Sequence, residues 1–145
     1  MNLGLHDKVI IVTGGAKGIG EAISKLIAEE GGIVVIAGRN AADNNKTVDE
    51  IVKTGGRAFA ITAELGKVED CKKVIALTVD QYGKIDGLVN NAGANDGVGL
   101  ENGSPEKFMT SLQNNLSHYY NLAHYALPYL KETRGNIVNI GSKVA

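Results

Sequence analysis

The stretch Val9-Ile10-Ile11-Val12-Thr13-Gly14-Gly15-Ala16-Lys17-Gly18-Ile19-Gly20 decides the fold of this chain. Its first four residues are β-branched and apolar, without polar alternation, which is typical of a strand buried on both faces of a parallel sheet. The glycines permit a tight turn and close backbone approach, and an amphipathic helix is predicted over Glu21–Glu30. Because a helix N-terminus favours anions, this unit predicts a phosphate or pyrophosphate site. A plain strand-to-helix turn is the alternative.

The composition indicates one small globular domain over residues 1–145, with 43% hydrophobic residues and a net charge of −1. This charge gives no reason to expect nucleic acid or an anionic membrane as a partner. Apolar runs fall far short of the roughly 20 residues that span a bilayer. A single cysteine, Cys71, excludes an internal disulfide or thiolate cluster and is interpreted as a packing residue. His6, His118 and His124 lack metal-ligand spacing and are interpreted as surface or interface residues, so a metal-free cytoplasmic protein is expected.

Strand and helix patterns alternate along the chain. Apolar runs predict strands at Val9–Val12, Ile33–Ala37, Ala58–Thr62, Leu88–Val89 and Asn136–Ile140. Helical periodicity predicts helices at Glu21–Glu30, Asp43–Thr54, Val68–Tyr82 and, after the cap Ser104-Pro105, a long helix to Lys131. Right-handed crossovers then give an α/β fold, a Rossmann-type doubly wound parallel sheet in the order 3-2-1-4-5. Ligands in such sheets lie beyond the carboxyl ends of the strands, where the glycine-rich and polar segments fall.

Three motifs resemble those of the short-chain dehydrogenase/reductase family, and the match covers the whole chain. Thr13–Gly20 matches the T-G-x-x-x-G-x-G turn, Asn90–Gly93 matches N-N-A-G, and Ile137–Ser142 is similar to the strand that delivers a catalytic serine. The resemblance implies hydride transfer between NAD(P) and a carbonyl/alcohol pair. It implies that Ser142 contacts the substrate oxygen and that Asn115 holds a water in a proton relay. The implied cofactor-binding residues are Gly14, Lys17, Gly18, Ile19, Gly20, Arg39, Glu64, Leu65, Asn91, Ala92 and Gly93.

The two candidate catalytic residues each have a structural alternative. Asn115 lies on a helical stripe with Phe108, Leu112, Tyr119 and Ala123, which predicts an amide facing the sheet. A buried amide must find partners, so Asn115 is either the relay residue or a structural asparagine bonded to main chain. A serine that ends a strand, as Ser142 does, also often just caps a turn.

Charge at the end of the second strand favours NADP over NAD, although NAD stays possible. An acid there would accept hydrogen bonds from the adenosine ribose and repel a 2′-phosphate. The sequence instead has Ala37-Gly38-Arg39-Asn40, and Arg39 suits a phosphate because its guanidinium binds in bidentate fashion. Lys17 adds a second cation. The alternative is that both cations are merely solvated.

The resemblance requires a Y-x-x-x-K motif about a dozen residues after the serine, and Ala145 precedes that position. The chain is therefore expected to be the amino-terminal part of the family fold, truncated after strand 5, and inactive by itself. A non-catalytic dinucleotide-binding module is the alternative. The two hypotheses differ in whether Y-x-x-x-K follows Ala145 in the gene.

The substrate is expected to be a small carbonyl or alcohol compound, and a sugar is one option. Asn95, Asp96 and Glu101 lie in a polar loop that loosely resembles the loop of sugar-dehydrogenase members. These side chains suit a polyol, but they are equally consistent with solvated loop groups. Aromatic residues along the long helix favour a homo-oligomer.

Overall fold

The computed structural model describes residues 1–142. Five strands alternate with helices: β1 Val9–Thr13, α1 Gly18–Glu29, β2 Ile33–Gly38, α2 Ala41–Lys53, β3 Arg57–Thr62, α3 Val68–Tyr82, β4 Gly87–Asn90, α4 Pro105–Leu112, a π-helical turn Gln113–Ser117, α5 His118–Thr133 and β5 Asn136–Asn139. Within these residues, none of the helices combines the length and apolar character needed to span a membrane.

The strands form one parallel sheet in the order β3-β2-β1-β4-β5, which confirms the predicted topology. Apolar side chains of β1 alternate between two cores, as its two-sided burial requires. Val9 and Ile11 pack with residues of α3 and α5, whereas Ile10 and Val12 pack with residues of α1 and α2. The helices therefore cover both faces of the sheet. The strand carboxyl ends stay along one open edge, where a ligand can approach.

The long carboxyl-terminal helix begins as the sequence predicts. Ser104 caps it by accepting a hydrogen bond from the Lys107 N–H at 3.1 Å, and Pro105 occupies the first helical position. The prediction of one continuous helix to Lys131 is wrong in the middle, because the π-helical turn at Gln113–Ser117 separates α4 from α5. Such turns contain one extra residue and are frequent at functional sites.

Burial corrects the interpretation of one histidine. His118 is only 1% exposed, whereas the sequence interpretation placed it at the surface or an interface. Its Nε2 atom lies 2.9 Å from the carbonyl oxygen of Asn114, which can only accept, so Nε2 carries the proton. Burial lowers the pKa of this imidazole below its ordinary value. The neutral ring therefore belongs to the helix packing just after the π-helical turn.

Candidate functional site

The glycine turn between β1 and α1 forms an open cradle. Gly14 and Gly18 have φ angles of +62° and +54°, which disfavour other residues. A Cβ on Gly20 would collide with the Gly14 carbonyl oxygen and lie 2.5 Å from Asn91 Nδ2, whereas a Cβ on Gly18 would have no heavy atom of residues 1–142 within 4 Å. The turn is therefore closed toward the protein at Gly20 and open outward at Gly18. Ile19, beside it, is 65% exposed.

Asn91 and Thr13 brace this turn from β4 and β1. The Asn91 side-chain Nδ2 donates to the carbonyl oxygens of Thr13 and Gly14 at 3.1 and 3.3 Å. The hydroxyl oxygen of Thr13 accepts from the main-chain N–H groups of Asn91 and Ala92 at 2.9 and 3.0 Å. Asn91 therefore holds the turn in shape. Thr13 opens the glycine motif, but sequence reasoning gave it no role in the site, because its contacts with Asn91 and Ala92 depend on the pairing of β1 with β4.

Two further hydroxyls fix the carbonyl groups of the turn. Ser24, in α1, lies 2.9 Å from the carbonyl oxygens of both Gly15 and Gly20. Thr47, in α2, donates to the Ala16 carbonyl oxygen at 3.3 Å. The Gly14 N–H already donates to the Ala37 carbonyl oxygen at 2.8 Å. The N–H groups of the first turn of α1, which have no acceptor within the helix, are the ones that can bind an anion. Within the described part of the chain, no side chain caps the start of α1. The cradle fits the diphosphate of a dinucleotide.

The predicted cofactor-selecting residues lie at the carboxyl ends of β1 and β2. Arg39 is exposed directly after β2, and Asn40 caps α2 by accepting a hydrogen bond from the Asp43 N–H at 3.0 Å. Lys17 forms an ion pair with Asp43, with 3.1 Å between Nζ and Oδ2. Sequence reasoning considered an acid only at the end of β2. It missed Asp43, which lies in the first turn of α2, next to Lys17.

Glu64 and Leu65 have different surroundings after β3. Leu65 is 7% exposed, and its side chain packs in the core between the sheet and α3. Glu64 is half-buried, and its main-chain N–H donates to Asp70 Oδ2 at 2.6 Å. Of this pair, only Glu64 leaves a side chain near the open edge, so Leu65 has only main-chain atoms to offer a ligand.

Asn115 lies inside the π-helical turn and holds the loop after β4. Its Oδ1 accepts a hydrogen bond from the Ala94 N–H at 2.6 Å, and its Nδ2 donates to the Ser111 carbonyl oxygen at 3.1 Å. A Cβ on Gly93 would lie 3.1 Å from the same Oδ1. The side chain is half-buried, and Phe108 is 56% exposed, so the predicted stripe is not uniformly buried. These contacts fit the structural alternative for the carboxamide and place Asn115 beside Asn91–Gly93.

Ser142 is exposed and lies three residues beyond β5. The segment before it is tied to the rest of the site through Ile140, whose N–H donates to the Asn90 carbonyl oxygen at 2.9 Å. The Tyr119 hydroxyl, on α5, donates to the Ile140 carbonyl oxygen at 2.9 Å. Burial raises the pKa of Tyr119, which keeps its donor proton in place. The segment before Ser142 is therefore held by α5, the helix that directly follows the π-helical turn containing Asn115.

A polar cavity of about 530 Å³ lies against the loop after β4. Its lining residues are Asp96, Gly97, Val98, Asn102, Glu106, Lys107, Thr110 and Asn114. Asp96 also approaches Asn115, with 3.5 Å between Oδ2 and Nδ2. Among residues 1–142, no cluster of three or more His, Cys, Asp or Glu side chains is arranged for a metal ion.

Comparisons with known proteins match nearly the whole chain. The family model described as short chain dehydrogenase matches residues 8–145. L-fucose dehydrogenase of Rattus norvegicus is 36% identical over 138 residues, covering 94% of this chain and 50% of that protein. The crystal structure of Cj0485 dehydrogenase superposes with a TM-score of 0.89 at 40% identity, covering 99% of this chain and 55% of the other. A 7α-hydroxysteroid dehydrogenase complexed with NADH and 7-oxo glycochenodeoxycholic acid gives a TM-score of 0.90 at 30% identity, covering 95% and 54%. The chain spans about half the length of these proteins.

Proposed function

The chain belongs to the short-chain dehydrogenase/reductase family, and from this premise we propose that its parent protein is an NADP-dependent oxidoreductase. It would transfer hydride between nicotinamide and a carbonyl/alcohol substrate, with NAD as the alternative cofactor. The non-catalytic dinucleotide-binding module is the second candidate, because it needs the same glycine cradle and nothing more.

The observation that carries the proposal is the braced glycine cradle. Its carbonyl groups are held by the side chains of Asn91, Ser24 and Thr47, and Gly18 opens toward solvent. Main-chain N–H groups at the start of α1 would bind the diphosphate, where the helix dipole favours negative charge. When bound, the nicotinamide accepts or supplies the hydride.

Arg39 supports the choice of NADP. Its guanidinium lies in solvent at the carboxyl end of β2, where a fork of N–H donors can bind a 2′-phosphate. Lys17 lies directly before the first residue of α1. Two cations at one rim favour the phosphorylated cofactor.

The proposed chemistry assigns polar contacts to Ser142 and the π-helical turn. Ser142 would donate a hydrogen bond to the substrate oxygen. Asn115 is proposed to hold a water of the proton relay through the second lone pair of its Oδ1, because the first already accepts the Ala94 N–H. The Tyr and Lys that complete proton transfer in the family have no counterpart in residues 1–145. We propose that further sequence of the parent protein supplies them and that these residues alone are inactive.

The substrate is proposed to be a small hydroxylated compound, with sugars as the first class to test. Asp96, Asn102 and Glu106 contribute hydrogen-bonding groups to the cavity beside Asn115, and such groups suit several hydroxyls. The match to L-fucose dehydrogenases points the same way. Substrate screening should therefore begin with hexoses and 6-deoxyhexoses.

A homo-oligomer is proposed from the outer surface of the long helical segment. Large apolar side chains there are exposed: Phe108, Met109, Leu116, Tyr120 and Leu127. Exposed apolar surface, where it is extensive, marks interaction sites in soluble proteins. Light scattering of the full-length protein tests this point. The cytoplasmic location expected from composition stays a prediction.

The test of the function has two stages. The full-length protein is first titrated with NADPH and with NADH, following the fluorescence of the reduced nicotinamide, and is then assayed for hydride transfer with a carbonyl panel. Tighter binding of NADPH than of NADH, together with measurable hydride transfer to a carbonyl compound, supports the proposed oxidoreductase. Binding without turnover of any compound favours the module, and failure to bind either dinucleotide refutes both.

A further inference from the structure

Lys17 and Asp43 form an ion pair beside the carboxyl ends of β1 and β2, where we propose that the cofactor ribose is recognised. The Lys17 Nζ lies 3.1 Å from Asp43 Oδ2, and the two side chains are 78% and 30% exposed. The pair joins the glycine turn after β1 to the first turn of α2. These residues are distant in sequence and meet because β1 and β2 are neighbouring parallel strands.

Asp43 is held more firmly than its partner. Its main-chain N–H donates to Asn40 Oδ1 at 3.0 Å, which anchors the residue in the first turn of α2. A carboxylate at a helix N-terminus is also stabilised by the helix dipole. Lys17, in contrast, carries its charge on a flexible four-carbon stem. The position of the carboxylate therefore decides where the ammonium group rests.

This pairing changes the electrostatics of the rim. A 2′-phosphate would have to compete with Asp43 for Lys17, and its negative charge would be repelled by the same carboxylate. A ribose 2′-hydroxyl carries no charge and can donate a hydrogen bond to a carboxylate. Arg39 forms no ion pair within 4 Å among the residues that the structure describes. It is therefore the cation that stays available to the phosphate.

We infer that Asp43 is a specificity-determining residue that restrains the preference for NADP(H) through its ion pair with Lys17. The inference rests on the proposed function and refines its cofactor choice. Arg39 supplies the preference for the phosphate, and Asp43 limits that preference by neutralising the second cation. The parent protein therefore uses both dinucleotides, with a moderate advantage for NADP(H).

The test compares four variants of the full-length protein with wild type: Asp43→Asn, Lys17→Met, the double variant, and Glu50→Gln. Glu50 is the matched control, because it also lies in α2 and pairs with a lysine of α1, Lys25, at 2.8 Å. Dissociation constants for NADPH and NADH are measured by nicotinamide fluorescence, and thermal unfolding checks that each variant is folded.

Asp43→Asn is expected to raise the ratio of NADPH to NADH affinity by about 1.5-fold to fivefold, the range of an exposed charge interaction. In the Lys17→Met background only the direct interactions of the carboxylate with the 2′-phosphate and the ribose hydroxyl remain, so the same change should raise the ratio by a smaller factor. Glu50→Gln should leave the ratio at its wild-type value. An unchanged ratio in Asp43→Asn, or an equal gain without Lys17, overturns the inference while the proposed function stands. If the wild type binds neither dinucleotide, the proposed function and this inference both fail.

Discussion

Replacing Gly20 by alanine is expected to close the cradle from within. The new methyl group would collide with the Gly14 carbonyl oxygen and lie 2.5 Å from Asn91 Nδ2, closer than atoms in van der Waals contact approach. Both contacts belong to the brace in which Asn91 donates to the Gly14 carbonyl at 3.3 Å. Because main chain cannot swing aside as a long side chain can, the turn itself must move.

The magnitude follows from three opposing contributions. Alanine in place of glycine favours a helix by about 0.5–1 kcal/mol. Overpacking costs about 1–3 kcal/mol, and loss of the two Asn91 hydrogen bonds to the turn costs about 1 kcal/mol each. The free energy of unfolding should therefore fall by roughly 2–4.5 kcal/mol. A displaced turn also misdirects the N–H groups that bind the diphosphate, so we expect dinucleotide affinity to fall at least about tenfold, or about 1.4 kcal/mol.

Urea denaturation measures the first quantity, and NADPH titration under conditions that keep the variant folded measures the second. Gly83→Ala is the matched control. Gly83 ends α3 with a φ of +76°, and a Cβ there would meet no heavy atom of the described residues within 4 Å. We expect it to cost about 1 kcal/mol through backbone strain, without loss of affinity. A Gly20→Ala protein that binds NADPH within twofold of wild type would refute the assignment of this turn as the diphosphate site.

Three other residues give separate predictions. Burial and the nearby Asp70 carboxylate raise the pKa of Cys71 to about 11, so at pH 8 only about one thiol in a thousand is ionised, and a thiol reagent should label Cys71 rapidly only after unfolding in urea. The pKa of His118 is held below its ordinary 6.5 by burial, so the unfolded chain binds the proton first as the pH falls. The contribution of neutral His118 to the free energy of unfolding is therefore fully present above about pH 6.5 and falls below it until the lowered pKa is passed. The urea midpoint of His118→Gln should accordingly vary less with pH than that of the wild type. Thr13→Val removes the acceptor of two N–H groups in Asn91–Ala92 and should cost about 2–3 kcal/mol of unfolding free energy, whereas Thr13→Ser, the control, should cost less than about 1 kcal/mol.

The fold followed from local patterns that have a direct physical cause. The β-branched run before the glycine turn predicted a strand buried on both faces, and the Ser104-Pro105 start predicted the beginning of α4. The π-helical turn was not predictable in the same way. A single extra residue shifts helical periodicity by about 100°, and the polar segment Gln113-Asn114-Asn115 has too few apolar side chains to register that shift.

The candidate site was predictable where one segment supplies it and not where two segments meet. Gly14, Gly18 and Gly20 all come from one turn: Gly14 and Gly18 have positive φ angles, and Gly20 lies against the Gly14 carbonyl group. Asp43 could not be paired with Lys17 from sequence, because their contact depends on the adjacency of β1 and β2. The burial of His118 likewise depends on packing around a turn whose geometry the sequence conceals.

The proposed site divides recognition between two kinds of group. This division explains why the sequence predicts a dinucleotide more firmly than it favours NADP over NAD. Side chains that resemble ligand contacts, such as Asn91 and Ser24, are bonded to the carbonyl groups of the turn. The diphosphate is therefore left to main-chain N–H groups, whose position depends on fold and glycine spacing and is insensitive to the identity of neighbouring residues. Selection at the ribose is proposed to depend instead on exposed charges, those of Arg39 and of the Lys17–Asp43 pair. Exposed charges contribute little each and are screened by salt, so a single carboxylate one helical turn away is enough to alter the preference that Arg39 sets.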